Sequence, residues 1–283
     1  MTPKSPSAFH RGVMKCLHLP SNLYVVGQFV LNNAGKEYGV GHWQKLRLVV
    51  NVILNHGRVK AVSSWQQHLL MVEDILRIPR QLEGDVVECG CWNGSCTVNL
   101  SLACALTKRT LLVCDSFEGL PPPQPGEASE VLIDPEGSIM RTWQPGEYQS
   151  AGGLEGVKQV VARFGALEVC RFVKGYFHET LPQLQTKAIV LIFEDADLPS
   201  SVEEIVRHLW PKLQARCKFY CHEPWSVNVV SLFFDRHWWD TRMGTPPPGF
   251  YGSGRGIMVG FRYAWIGYAQ KRQTSPVSSP TPR

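Results

Sequence analysis

The stretch VVECGCWNGS, Val86 to Ser95, decides how this chain is read. Two valines lead into an acid, Glu88, and the chain then passes Gly90 and Gly94 before Ser95 opens a second apolar run. A short apolar run that ends in turn residues reads as a buried strand. Glycine lets the backbone turn sharply and lets a ligand approach the main chain. SCTVNLSLACALTKR reads as the helix that follows, with Ser95 a candidate N-cap. The free amides of such a helix face the turn, where a carboxylate or phosphate can bind. The pattern Glu88-x-Gly90-x-x-x-Gly94 lacks a glycine of the dinucleotide fingerprint, and a plain strand-to-helix turn accounts for it equally well.

Working outward, strands and helices alternate. TLLVCD is the next expected strand, GGLEGVKQVVARFG a helix ended by Gly165, VCRFVKG and AIVLIFED two more strands, and KFYCHE another. A helix is expected to open at Ser201, with Glu204 at capping-box spacing. Alternation of this kind implies an α/β fold with right-handed crossovers and a mostly parallel sheet flanked by helices. Ligands bind such sheets at the carboxyl ends of the strands. Those ends carry Glu88, Asp115, Gly175, Asp195 and His222–Glu223. Asp115 lies 27 residues after Glu88, on the neighbouring expected strand end. An acid there can accept hydrogen bonds from two ribose hydroxyls, or it can cap the turn Ser116–Phe117. Two acids and a glycine turn on one rim favour a nucleoside ligand.

The composition is that of a globular protein: 283 residues, 44% hydrophobic and 19% charged, enough for a sizeable core. The net charge of +5 is scattered rather than striped, which argues against nucleic acid as a partner. Nine cysteines, an odd number without a CxxC pair, suit reduced thiols acting as small hydrophobes in a cytoplasmic protein. No apolar run reaches the ~20 residues of a membrane span, and no membrane partner is expected. Residues 1 to about 20 are expected to be loosely ordered. From Gly41 to Ile78 the pattern is helical, with Leu46, Val49, Val50, Ile53 and Leu54 on one apolar face and Leu69, Leu70, Val72, Ile75 and Leu76 on another. The expected organisation is a helical extension over 1–60, a main domain over 61–270 and a disordered tail over 271–283. The extension offers a homo-oligomer contact.

The motifs GDVVECGCWNGSC, CDSFEGLPPP, GEY, VKGYFHETLP, DADLPSS and HLWPKL occur in that order. Together they resemble the macrocin O-methyltransferase (TylF/MycF) family, from about Ser64 to Pro224. The glycine turn is similar to motif I of class I S-adenosylmethionine-dependent methyltransferases. The resemblance implies a Rossmann-like sheet with S-adenosylmethionine over its strand ends. It also implies methyl transfer to a sugar hydroxyl and a divalent metal, usually Mg2+. Carried onto this sequence, it places Glu88, Gly90, Trp92, Asn93, Gly94 and Ser95 around the cofactor, with Asp115, Ser116 and Phe117 at the nucleoside and Gly175, Tyr176 and Phe177 near the adenine. Asp195 and Asp197 match the aspartates of the family's DxDLYxS segment.

The sequence also departs from the family. Where Asp-Asp-Tyr is expected after the next strand, it has His222, Glu223 and Pro224. A set of Asp195, His222 and Glu223 suits manganese, iron or zinc at least as well as magnesium, which prefers oxygen. A metal binding two vicinal oxygens would orient an acceptor and lower a hydroxyl's pKa. Asp195 can hold the metal or take the proton, and His222 is the alternative base if no metal binds; His178 is a further candidate. The long segment Pro121–Ser150 reads as a lid, and GFYGSGRG, 249–256, as a turn. Trp238, Trp239 and Tyr251 are candidates for an acceptor pocket. The expected function is an S-adenosylmethionine-dependent O-methyltransferase acting on a sugar or other hydroxylated small molecule. The alternative is a non-catalytic or differently reacting protein on the same fold, such as a metal-dependent hydroxylase.

Overall fold

The computed structural model describes residues 8–125, 127, 132–133, 139–140 and 143–273, with side chains from residue 20 onward outside the pairs at 132–133 and 139–140. The N-terminal part is helical: α1 (Ala8–Leu31), α2 (His42–Arg58) and α3 (Trp65–Arg77). The expected loose start is thus a helix from Ala8, with Pro20 inside it, while residues 1–7 lie outside the description. The alternating part follows, as β1 (Asp85–Cys89), α4 (Ser95–Thr107), β2 (Leu111–Asp115), α5 (Gly153–Phe164) and β3 (Cys170–Lys174). It continues through α6 (Phe177–Thr180), β4 (Ile189–Glu194), α7 (Pro199–Leu209), β5 (Leu213–Cys221), α8 (Val227–Leu232) and β6 (Gly267–Gln270).

The six strands form one sheet in the order β6-β5-β4-β1-β2-β3, all parallel except β6, which runs antiparallel to β5. The order reverses between β1 and β4. β1 leads to β2 and β3 on one side, while β4 and β5 lie on the other, and this opens a crevice at the carboxyl ends of β1 and β4. Val86, Val87, Leu111, Val113, Ile189 and Ile192 are buried on these central strands. Full burial of such a side chain is worth about 1.5–3 kcal/mol. The ladder continues one residue past the strand ends: Gly90 donates to Cys114, Asp195 to Cys89, His222 to Glu194 and Gly175 to Asp115, through backbone N–H···O bonds of 2.9–3.0 Å. The functional rim is thereby pinned into the sheet.

Two helix starts differ from the sequence reading. The N-cap of α4 is Gly94, at φ 80°, and Ser95 is the first helical residue. A side chain at Gly94 would crowd Val157 of α5 and would have to adopt that left-handed backbone. α7 begins at Pro199 with Leu198 as its cap, and Ser201 is buried inside the first turn. Proline at a first helical position loses no intrahelical bond, so it can open a helix ahead of a better capping residue.

The expected apolar face of α2 divides. Val49 packs inward with Leu48 and Val52, whereas Leu46, Val50, Ile53 and Leu54 are exposed with Trp43. The inner residues belong to the same core cluster as the sheet, so the N-terminal helices share one hydrophobic core with the rest of the molecule. The region expected as a helix around VNVVSLFFDRHWWD breaks into α8, a short turn at Arg236–Trp238 and a π-helical turn at Trp239–Met243. The eight cysteines from Cys89 to Cys221 are free, and all but Cys170 are buried. No described helix is long and apolar enough to cross a membrane. Residues 274–283 of the expected tail lie outside the described residues.

Candidate functional site

A cavity of about 650 Å3 opens over the crevice. Its floor carries Glu88, Gly90, Cys91, Trp92, Ser95 and Cys96, and Asp115, Ser116 and Gly175 form one side. Asp195, Ala196, Asp197 and His222 form the other side. Of the residues expected at the strand ends, Glu88, Asp115, Gly175, Asp195 and His222 line this one cavity, and Glu223 lies behind its wall. Phe177 and Tyr176 also line the cavity.

Glu88 is fully buried, and neither carboxylate oxygen has a hydrogen-bond partner. Burial pushes its pKa up to about 8, with the Asp195 and Asp115 charges adding to the effect against the nearby Thr97 hydroxyl and Cys96 thiol. The Ser95 hydroxyl, at the start of α4, is likewise buried and unpartnered. A buried polar atom without a partner costs about 1–3 kcal/mol, so such atoms facing a cavity mark ligand contacts.

Asp115 is differently placed. One oxygen accepts from the backbone amides of Cys91 at 2.6 Å and Trp92 at 3.3 Å, the other from Phe117 at 2.6 Å. It closes the glycine turn and caps its own turn while still facing the cavity. Burial raises its pKa against the pull of those amides. Three of the residues expected at the cofactor do not reach the cavity wall. The Asn93 side chain accepts from the amide of Ala151 at 3.0 Å. Gly94 is turned against Val157. Phe117 is buried against Phe172.

Asp195, His222 and Glu223 come together as expected. His222 Nδ1 lies 3.1 Å from Asp195 Oδ1 and 3.5 Å from Glu223 Oε1. Burial alone would lower the His222 pKa; the Asp195 charge and contacts to both carboxylates outweigh it and hold it well above the ordinary value. Burial, and the charges of Glu194 and Asp195, raise Glu223. Glu223 Oε1 is fully buried and makes no hydrogen bond, and the three ligand atoms lie within 4.8 Å of one another. One nitrogen and two oxygens so placed fit a divalent ion that accepts nitrogen, such as manganese or zinc, better than magnesium. Glu194, also buried, binds the amide of Ala196 at 2.8 Å and so shapes the Asp195 loop.

The mouth is aromatic. Trp143, Tyr148 and Trp225 gather with Leu120 and Leu198 in a small separate apolar cluster, and Trp265 completes the wall. Trp143 Nε1 is buried without a partner. The expected lid segment supplies Pro121, Pro122, Gln124, Trp143 and Tyr148. Leu120 and Gly146 pin its base through backbone bonds, and Glu127 accepts from Ser200 on α7. Residues 126, 128–131, 134–138 and 141–142 of that segment lie outside the described residues.

The aromatic residues chosen from sequence are elsewhere. Trp239 is buried in the core against Trp210, Trp238 binds Glu203 on α7, and Tyr251 stacks on Tyr268. Sequence reading also missed Lys60–Ser63, the linker before α3, which lines the opposite wall. Lys60 Nζ sits 5.1 Å from the centre of the Trp92 ring. His178 lines the cavity, with its side chain largely exposed and stacked on Tyr176.

A mostly parallel sheet with a ligand crevice at its order reversal defines a Rossmann-like α/β protein. Residues 66–218 match the family model for macrocin-O-methyltransferase (TylF), and the chain belongs to that family. It is 32% identical over 136 residues to 8-demethyl-8-(2,3-dimethoxy-alpha-L-rhamnosyl)-tetracenomycin-C 4'-O-methyltransferase of Streptomyces olivaceus, covering 46% of this chain and 49% of that protein. It is 28% identical over 149 residues to demethyldecarbamoylnovobiocin O-methyltransferase of Streptomyces niveus, covering 50% and 52%. The matched region thus spans about half the length of these relatives. Among solved structures, the O-methyltransferase NovP superposes with a TM-score of 0.51 at 17% identity, covering 89% of this chain and 100% of NovP. The calicheamicin methyltransferase CalS11 superposes with 0.53 at 13% identity, covering 94% of each chain. These two show that the fold is that of O-methyltransferases.

Proposed function

We propose that the protein is an S-adenosylmethionine-dependent O-methyltransferase whose acceptor is a hydroxyl of a sugar or a similar hydroxylated small molecule. The observation that carries this reading is the polarity of the cavity. Unpartnered Glu88 and Ser95 lie on one side, the His222–Asp195 pair on the other, and aromatic rings stand at the mouth. Glu88 suits an ammonium group, and the start of α4 with Ser95 suits a carboxylate, which together describe the amino-acid end of the cofactor. Flat aromatic side chains at the mouth suit the apolar faces of a sugar, and Asp197, Ser200 and Glu204 offer partners for its hydroxyls. Family membership, and the O-methyltransferase names of both relatives, support the same reading. Buried free thiols are consistent with a cytoplasmic setting.

When bound, S-adenosylmethionine supplies a methyl group on a positively charged sulfur. The residues of this chain have the remaining tasks. The glycine turn and Asp115 position the nucleoside, and the aromatic mouth excludes water and orients the acceptor. Positioning of this kind is worth up to roughly 7–11 kcal/mol. Asp195 lies against Nδ1 of His222, and the neutral ring, the minor form where its pKa is raised, is the one that takes the acceptor proton at Nε2, so the rate should climb with pH through that raised pKa. A neutral hydroxyl is a poor nucleophile, so a positioned base adds about 10²–10⁴-fold. Asp195, His222 and Glu223 are also the residues that would hold a divalent ion, which would supply a lowered hydroxyl pKa.

The deciding experiment is calorimetric titration of S-adenosylhomocysteine into the protein, first with chelator and then with manganese or magnesium. Binding in chelator is the expected result. A further gain with manganese would place an ion at Asp195–His222–Glu223. No binding under any condition would overturn the methyltransferase reading.

A further inference from the structure

Behind the Lys60–Ser63 wall runs a buried hydrogen-bond chain that the reaction above does not use. Asn55 of α2 donates its amide to the Phe164 carbonyl at 3.4 Å and to Asn99 Oδ1 at 3.1 Å. Asn99 of α4 donates its own amide to the Ser95 carbonyl at 3.2 Å and to His68 Nδ1 at 2.9 Å. His68 Nε2 then lies 2.7 Å from the Ser63 hydroxyl. Asn55, His68 and Asn99 are all buried.

The direction of this chain is fixed. Backbone carbonyls accept and never donate, so the Phe164 and Ser95 carbonyls set which end of each asparagine side chain is the amide. Asn99 therefore presents N–H to His68 Nδ1, and that nitrogen must be the bare one. Burial, with the charges of His56 and His222, drives the His68 pKa down to about 3, so the ring is neutral. A neutral ring bare at Nδ1 carries its proton at Nε2. His68 thus donates to Ser63, and the Ser63 oxygen is occupied as an acceptor. The hydroxyl proton of Ser63 is left to point elsewhere. Ser63 lines the cavity and makes no other hydrogen bond given by the structure.

The opposite arrangement, in which histidine accepts and the serine becomes a nucleophile, needs both asparagines turned over. Amide groups would then face two carbonyl-fixed positions with their oxygens, and both contacts would become repulsive. The linker is also held in place. The Ser64 side chain caps α3 at the Gln67 amide, and Gln67 reaches the Trp265 carbonyl at 2.9 Å across the mouth.

We propose that Ser63 is a committed hydrogen-bond donor to the carboxylate of the amino-acid end of the cofactor, aimed there by His68 as a positioning residue. This inference rests on the cofactor reading above. The nearby Ser95 hydroxyl and the first amides of α4 offer further donors to the same anion, and Glu88 offers a counter-charge to the ammonium beside it.

The test compares two ligands by calorimetry: S-adenosylhomocysteine, and 5′-methylthioadenosine, which shares the nucleoside and thioether but lacks the amino acid. Ser63→Ala is expected to weaken S-adenosylhomocysteine by about tenfold to a hundredfold, the size of a hydrogen bond to a charged group. It should leave 5′-methylthioadenosine within twofold, which also reports that the variant is folded. His68→Gln keeps an N–H near the Nε2 position and should preserve most of the preference for the longer ligand. His68→Asn, which keeps only the Nδ1 side, should lose it, with no further loss when combined with Ser63→Ala. Equal preference in Ser63→Ala and the unaltered protein would overturn the inference while leaving the methyltransferase reading intact. Failure of both ligands to bind the unaltered protein would overturn the two together.

Discussion

Two groups of buried polar residues lie almost side by side in this protein, and they are built in opposite ways. Asn55 of α2, His68 of α3 and Asn99 of α4 are joined side chain to side chain, and none of their atoms is among the buried ones without a partner. Glu88 and Ser95, at the neighbouring strand end and first helical turn, line the cavity and keep carboxylate and hydroxyl oxygens without partners. Both groups are fully shielded from solvent, so burial does not separate them. What separates them is completion. The first group is finished by the fold and spends its polarity on fixing helices and an imidazole tautomer. The second is left open toward the cavity, where only a ligand can finish it.

The comparison breaks or sharpens most visibly across the crevice, at the His222–Asp195 pair on the proposed acceptor side. His222→Gln should lower methyl transfer by about 10²–10⁴-fold and leave S-adenosylhomocysteine affinity within twofold. Initial rates and calorimetry read the two separately. An equal loss in both would mean that His222 serves the cofactor side and not the acceptor.

Next in size is a pair of truncations. Asn99→Ala removes the partner of His68 and Asn55 and should cost about 2–4 kcal/mol of stability in urea unfolding. Ser95→Ala removes a hydroxyl that satisfies nothing in the free protein, and should change stability by less than about 0.5 kcal/mol while weakening the cofactor. Equal stability losses would erase the distinction between finished and open groups.

The last comparison is in pH dependence. Glu88 has a folded pKa of about 8 against an ordinary value of 4.5. The folded protein therefore holds more protons than the unfolded chain between those values, and stability falls as pH rises through that window. Glu88→Gln should be more stable than the unaltered protein. The gap should grow from pH 5 to pH 8, level off above, and be visible as a melting-temperature difference without ligand. Binding of S-adenosylhomocysteine at pH 7 should release up to one proton in the unaltered protein and none from this site in the variant. A gap that shrinks with rising pH would contradict the assigned environment.

Much of this was legible in the sequence because parallel strands are hydrophobic along their length and punctuated at their ends. Glu88, Asp115, Asp195 and His222 stand where apolar runs stop, and the sheet brings those stops to one rim. What the pattern could not supply was direction. Phe117 and Asn93 sit beside the right turns but point away from the cavity, because a turn changes facing with each residue. Trp143, Tyr148, Trp225 and Lys60–Ser63 come from loops whose course depends on tertiary contacts. Trp225 had one usable signal, an aromatic residue two positions after the His222–Glu223 pair. The division of α2 was hidden because residues at helical spacing read as apolar on both of its faces, and only packing shows which face is covered.

Gly90 has a consequence for how such a protein can diversify. A methyl group there would sit 1.9 Å from the Asp195 carbonyl oxygen. On the proposed reading, the turn assigned to the cofactor therefore runs in direct contact with the loop assigned to the acceptor. A single hydrogen atom sets the gauge between the two halves of the crevice. Changes at Trp143, Tyr148 or Trp225 can re-tailor the mouth for new acceptors, since those side chains hang from loops. A change at Gly90 would move both halves at once, so variation in substrate range has to be drawn from the mouth inward and to stop short of this residue.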